Sequence, residues 1–318
     1  MKTDEEEFCA ALLSEAKRHG VAVTADARDA LSLHYGMLRK WNPRVRLVGS
    51  VEPRRAAVEL FADSLVAARF AQALVAARAA ARADISAVDI GSGGGFPGII
   101  VKIVYPQWRI TLIDSSTKKI AFLKAAVREA GIEKIDVIRG RAEDLSQRPE
   151  MTESFDLAFC RAVTQPAAAC ALALPFVKIG GFFIAQTGAL AREAKDEKNK
   201  TKGNRPKNTE FRVPSFESRV EKGREDKETE GLLRSGLRPF ASNDGLGGSS
   251  TSAMDAFREV AEALGAKIEV THTYRLTGLA GERRLIGVRK VSPTQERAPG
   301  HGRSQKRKSD VKSRETRE

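Results

Sequence analysis

The chain has 318 residues, 42% of them hydrophobic, and a formal net charge of +13, which is apolar material for one core with appendages. No run of eighteen apolar residues and no basic-then-apolar-then-small leader occurs, so the expectation is a cytoplasmic protein with no membrane partner. The positive balance favours a polyanionic partner such as RNA, because Lys and Arg release counterions from phosphates; with eight Lys/Arg against four Asp/Glu from 292 to 318, most of the excess belongs to the body.

Residues 5–19 place Phe8, Leu12, Leu13 and Ala16 on one helical face, with acids leading and bases trailing, and Gly20 ends the helix. A second helix is predicted after Thr24, carrying Leu31, His34, Tyr35 and Leu38 to a break at Trp41-Asn42-Pro43. On such a face Tyr35 and Trp41 read as core aromatics. A third, Ala-rich helix is predicted to run unbroken from about Pro53 to Arg82, so that 1–84 form an all-helical extension.

The texture then changes to short β-branched or aromatic runs at 85–90, 108–114, 134–140, 155–160 and 180–186, with helical stretches at Lys118–Ala130 and Ala167–Lys178. Strands alternating with helices at this spacing predict βαβ units and a parallel sheet, an α/β core over 85–191. Residues 192–252 are charged and Gly/Ser-rich, read as a disordered insert. Order is expected again over 253–290: a helix at about 254–264 that Gly265 caps, a strand, and a last antiparallel strand at 282–290, before a disordered basic tail at 291–318. Cys9, Cys160 and Cys170 match neither a CxxC pair nor a zinc knuckle and read as buried reduced thiols; four histidines without an HExxH or HxH cluster predict no metal.

The chemistry concentrates in Val88-Asp89-Ile90-Gly91-Ser92-Gly93-Gly94-Gly95-Phe96-Pro97-Gly98, between a predicted strand and apolar helical residues. Glycines there permit a turn with positive φ and let a ligand approach the backbone. A dinucleotide fingerprint counted from Gly91 would need a glycine where Phe96 stands, and a P-loop would need Lys-Ser/Thr where Ile99-Ile100 stand. S-adenosylmethionine fits better. Asp114, closing the second strand, reads either as acceptor for both ribose hydroxyls or as cap of the next helix. Ala142-Glu143-Asp144 follow the third strand, where they bracket an adenine or are solvated acids. Arg141 and Arg161 stand on the rim where doubly wound sheets bind substrates, or are ordinary surface arginines.

These residues resemble the RsmG (GidB) family of bacterial small-subunit ribosomal RNA guanine-N7 methyltransferases. The resemblance covers about 5–191 and 254–290 and rests on Met37-Leu38-Arg39-Lys40-Trp41-Asn42, Asp63-Ser64, the Val88–Gly98 loop, Leu112 through Ser115 with Lys118-Lys119 and Phe122-Leu123, Gly140 through Glu143, Phe155-Asp156 through Cys160-Arg161-Ala162, and Gly281 through Leu285. Its Phe96-Pro97-Gly98 ending is particular to the family. The resemblance implies a Rossmann-type class I methyltransferase sheet and methyl transfer from S-adenosylmethionine to N7 of a guanine around position 527 of 16S rRNA, within the small ribosomal subunit. It implies cofactor contact by Gly91, Phe96, Ala142, Glu143 and Arg161, to which the loop reading adds Gly93, Gly95 and Asp114, and RNA contact by Arg141, Arg161 and Arg283; Arg141 and Arg161 are the catalytic candidates. Three positions depart from the family: Arg46, Leu60 and Thr187 replace residues usually Asn, His and Lys. The alternatives are therefore a member with another RNA target and a non-catalytic RNA- or ribosome-binding protein.

Overall fold

The computed structural model describes residues 3–77, 84–161, 166–187, 238–239 and 248–294. Most of 192–252, and the tail beyond 294, lie outside the described residues. Helix α1 (Asp4–Arg18) opens on a reciprocal cap in which Thr3 accepts from the Glu6 N–H and the Glu6 carboxylate accepts from the Thr3 N–H. Helix α2 (Ala25–Val45) opens on Thr24. The expected break at Pro43 does not occur: the proline lies in the last turn, and the helix closes at Arg46, a left-handed residue (φ 51°) whose N–H reaches Asn42 O.

The third predicted helix is not continuous. It divides into α3 (Pro53–Ala56), a six-residue π segment (Ala57–Ala62) and α4 (Asp63–Ala76). The wide π turn has a local cause, because the Arg161 guanidinium takes the Glu59 carbonyl at 2.6 Å and approaches the Leu60 carbonyl at 3.4 Å, competing with the regular helical ladder.

The predicted strands form as β1 (Ser86–Ile90), β2 (Arg109–Asp114), β3 (Ile135–Arg139), β4 (Phe155–Arg161) and β5 (Val177–Thr187). Between them run α5 (Gly98–Val104), α6 (Thr117–Glu129), α7 (Ala142–Leu145) and α8 (Pro166–Ala173). Helix α8 is shorter than expected; Leu174-Pro175-Phe176 tighten into a 3-10 turn, and Val177 and Lys178 already belong to β5. A two-residue strand β6 (Arg238–Pro239), helix α9 (Gly248–Ala263), β7 (Ala266–Tyr274) and β8 (Arg283–Lys290) complete the described chain. Helix α9 thus starts several residues before the position read from sequence.

The strand order is β3-β2-β1-β4-β5-β8-β7-β6. Strands β1 to β5 are parallel, and β8 is antiparallel to both β5 and β7. This is a doubly wound, Rossmann-type sheet whose order reverses between β1 and β4, the crevice where such sheets bind ligands. Helices cover both faces. On one, Phe8, Leu31, Tyr35, Phe61 and Phe70 join Phe96, Ile100, Leu112 and Phe122 in a single core. On the other, Leu145, Cys170, Leu174 and Phe257 pack on Val88, Phe183 and Ile286.

Tyr35 is core, stacked on Phe8 at 4.1 Å, and Trp41 meets the Phe122 ring edge-on at 5.9 Å. Cys160 and Cys170 are buried thiols, whereas Cys9 is only half-buried. The N-terminal helices therefore form one layer of the domain, seated directly behind the glycine loop. At Gly98, where α5 crosses β1 and β2, a Cβ would lie 2.7 Å from Asp89 Oδ2 and press on Leu112. Gly98→Ala is therefore expected to destabilise by about 1–3 kcal/mol, measured by urea denaturation.

Candidate active site

The loop after β1 is held from two directions. The N–H groups of Gly91 and Ser92 reach the Ile113 carbonyl at 2.8 and 3.0 Å, and Ser92 Oγ donates to Asp89 O at 2.8 Å. From the helical layer, His34 Nε2 lies 2.9 Å from Gly94 O. His34 is buried, and loss of hydration pushes its pKa down to about 4, so at neutral pH the ring is uncharged and donates an N–H to that carbonyl. A Cβ at Gly94 would press on Leu38 and Val48, and at Gly95, which adopts φ +88°, it would lie 2.6 Å from Ile99 Cδ1, a position that excludes a side chain. Gly91, in contrast, is exposed and faces open space.

Two buried carboxylates are tied to this loop. Asp114 accepts from Gly93 N at 3.1 Å and Ser116 N at 2.8 Å, with Lys119 Nζ at 3.7 Å. It is thus tied to the start of α6 and to the loop together, and a carboxylate has acceptor sites beyond those two bonds. Asp89 accepts from Gly98 N at 3.0 Å, but its Oδ1 is buried with no hydrogen-bond partner. Burial raises its pKa to about 7, opposed by the Gly98 N–H.

At the end of β3, Ala142 is buried at the head of α7, while Arg141, Glu143 and Asp144 are exposed. Gly140 N donates to Asp114 O at 3.2 Å, which draws the β3 end beside β2. Arg141 and Arg161 do not come together: β2 and β1 lie between their strands, so the strand ends stand roughly 14 Å apart at the usual strand spacing.

Arg161 belongs to a cluster that the sequence reading did not assemble. Its Nη2 is 3.3 Å from Asp63 Oδ2, and its guanidinium lies over the Phe96 ring at 5.8 Å. Arg283 Nη1 reaches the same Asp63 oxygen at 3.0 Å, Tyr274 donates its hydroxyl to Asp63 Oδ1 at 2.6 Å, and Gln186 donates to the Asp63 carbonyl at 3.2 Å. Asp63 has no exposed surface. Burial and the adjacent carboxylate hold the Tyr274 phenol well above its ordinary pKa, fixing it as a donor. The available signal was a lone acid in the apolar run Phe61-Ala62-Asp63-Ser64-Leu65-Val66, since a buried charge demands partners. The departures are also placed: Arg46 is an exposed helix cap, Leu60 offers its carbonyl to Arg161 and Ser64, and Thr187 donates to Arg284 O at 3.3 Å. Among the described residues no group of three His, Cys, Asp or Glu is placed to hold a metal ion, and no helix is long and apolar enough to cross a membrane.

Residues 27–222 match the family described as rRNA small subunit methyltransferase G, GidB. The chain belongs to this family. It is 34% identical over 186 residues to the ribosomal RNA small subunit methyltransferase G of Thermoanaerobacter pseudethanolicus, covering 58% of this chain and 73% of that one. The namesake from Leuconostoc mesenteroides is 33% identical over 188 residues, 59% and 74% of the two chains, and that from Streptococcus pyogenes serotype M12 is 32% identical over 214 residues, 65% and 87%. In this GidB chain the family match takes in the glycine loop, Asp63 and Arg161, and it ends before Tyr274 and Arg283.

Substitutions at two positions probe the arrangement. For His34 the folded pKa lies below the unfolded value, so the unfolded chain takes up a proton first as pH falls through 6.5 and the native state loses stability down to about pH 4. Asp89, with its folded pKa raised, has the opposite slope and loses stability as pH rises from about 4 to about 7. His34→Gln, which keeps an N–H donor, should remove the acid-side loss, so the stability gap to the parent protein shifts in the variant's favour by about 2 kcal/mol between pH 7.5 and 5, read from urea titrations at each pH. Asp63→Ala leaves both guanidiniums without their buried counter-charge and should cost about 3 kcal/mol or more in the same assay, with Asp63→Asn milder because its carbonyl can still accept.

Proposed function

We propose that this chain transfers the methyl group of S-adenosylmethionine to N7 of a guanine in 16S rRNA of the small ribosomal subunit, the guanine around position 527. The observation that carries the reading is the Gly91–Gly98 loop, open at Gly91 and flanked by Asp89 and Asp114, at the switch point of the sheet. Membership of the GidB family supplies the substrate class. The residues suit the cofactor: Asp89 Oδ1 is a buried acceptor lacking a donor, and the Gly91 backbone has no neighbour over it.

In this reading Gly91, Gly93, Gly95 and Phe96 form the floor of the cofactor site, and Asp114 takes the ribose hydroxyls while it keeps the loop tied to α6. Ala142 and Glu143 bracket the adenine beside β3. Bound S-adenosylmethionine supplies an electrophilic sulfonium methyl group. N7 of guanine has a lone pair and no proton, so the chain needs no general base; its task is to align donor and acceptor and exclude water. Arg161, fixed between Asp63 and Phe96, stands at the β1/β4 crevice and positions the base there. Two guanidiniums against one carboxylate leave that cluster with a positive surplus suited to RNA, with Arg283 and the more distant Arg141 contacting the backbone. The setting is the cytoplasm, with the small subunit or its rRNA as partner.

The test is incubation with methyl-labelled S-adenosylmethionine and either deproteinised 16S rRNA or assembled small subunits, followed by nucleoside analysis. Labelled N7-methylguanine is expected on one of them; none on either overturns the activity, and absent cofactor binding by calorimetry would favour a non-catalytic RNA-binding role. Asp114→Ala should weaken cofactor binding about tenfold or more, the worth of charge-assisted hydrogen bonds.

A further inference from the structure

A second basic surface lies apart from the glycine loop. The end of α1, the middle of α4 and the end of β7 enclose an open concavity of about 510 Å³ that includes Arg18, His19, Arg69, His272, Tyr274 and Arg275. Two of its cations, Arg18 and Arg69, are held in place without being neutralised. Arg18 donates to Thr277 Oγ1 at 2.7 Å and Arg69 to the His19 carbonyl at 3.0 Å, both uncharged acceptors. Each guanidinium has five N–H donors, so most remain for a ligand. The carboxylates nearby are committed: Glu15 is buried and accepts from Thr277 N while lying 3.2 Å from His19 Nε2, and Glu282 pairs with Arg275 at 2.8 Å on an exposed edge. Burial, and after it the charge of Arg69, push the His272 pKa down.

We propose that this concavity is a phosphate-binding site that grips the backbone of the substrate RNA next to the transfer centre. The inference rests on the RNA methyltransferase reading above and extends it to a named subsite. Position favours RNA over a free anion. Tyr274 lines the concavity and donates to Asp63, which pairs with Arg161 and Arg283, so the two basic surfaces are separated by one side chain on the same edge of the sheet. A polyanion lying across that edge would place one phosphate in the concavity and present a nearby base to the β1/β4 crevice. The shared chemistry is a phosphate oxyanion held by fixed guanidiniums.

The experiment measures binding of fluorescently labelled 16S rRNA to the full chain across a salt series, with inorganic phosphate as a competing probe. Arg18→Ala/Arg275→Ala changes two exposed side chains; Arg69→Gln is a second variant, and melting temperatures report folding. The expected result is about tenfold weaker RNA binding and a salt slope lower by about one to two, with cofactor affinity by calorimetry unchanged. Affinity and slope equal to the parent protein's, in folded variants from a parent that methylates RNA, overturn the subsite alone. A parent that neither binds nor methylates RNA overturns the functional reading and the subsite together. Saturable binding of inorganic phosphate that the variants lose, with RNA binding unaffected, assigns the concavity to a free anion and overturns its role in RNA binding.

Discussion

A carboxylate without exposed surface must either find counter-charge inside the protein or hold its proton more tightly, as Asp89 does, and Asp63 finds two counter-charges. Arg161 comes from the end of a parallel strand and Arg283 from the start of the antiparallel pair, while Asp63 itself opens a helix of the N-terminal layer. Three parts of the chain that are distant in sequence are thus fastened at one point, and Tyr274 and Gln186 fill the remaining polar valences. Breaking such a group by removing one member strands the others away from water, which is why the arrangement is cooperative.

The same fastening shapes what surrounds it. Arg161 draws carbonyls from the π segment, so a helix of good intrinsic propensity is widened for one turn, and its guanidinium is pressed over Phe96 in the glycine loop. The helical layer then reaches the loop a second time through His34, whose neutral ring is secured by burial. A loop that must offer its backbone to a ligand cannot pack that side with its own side chains. Its rigidity comes from behind, from Leu38, Val48 and Ile99.

Much of this could be read from the residues. The strands emerged because buried parallel strands are short apolar runs, and the loop because a ligand-facing turn needs glycine at fixed places. Pro43 misled because the cost of its missing N–H falls on a single bond near the end of a helix whose buried face, through Leu31, Tyr35 and Leu38, holds the rest in place. Residues 53–82 misled because an Ala-rich run announces helix without announcing that a remote arginine will compete for its carbonyls.

The sequence by itself determined the doubly wound core, the Gly91–Gly98 loop with Asp114, and the rim arginines, since each is set by local period, turn chemistry or spacing along the chain. Only the tertiary structure decided which rim arginine stands at the crevice and which stands three strands away. It also decided that Asp63 and Tyr274 join Arg161 and that His34 backs the glycine loop. Tyr274 meets Asp63 across 211 positions of chain and His34 meets Gly94 across 60, because buried polar groups need partners, a demand that the sequence poses and that only the packed layers answer.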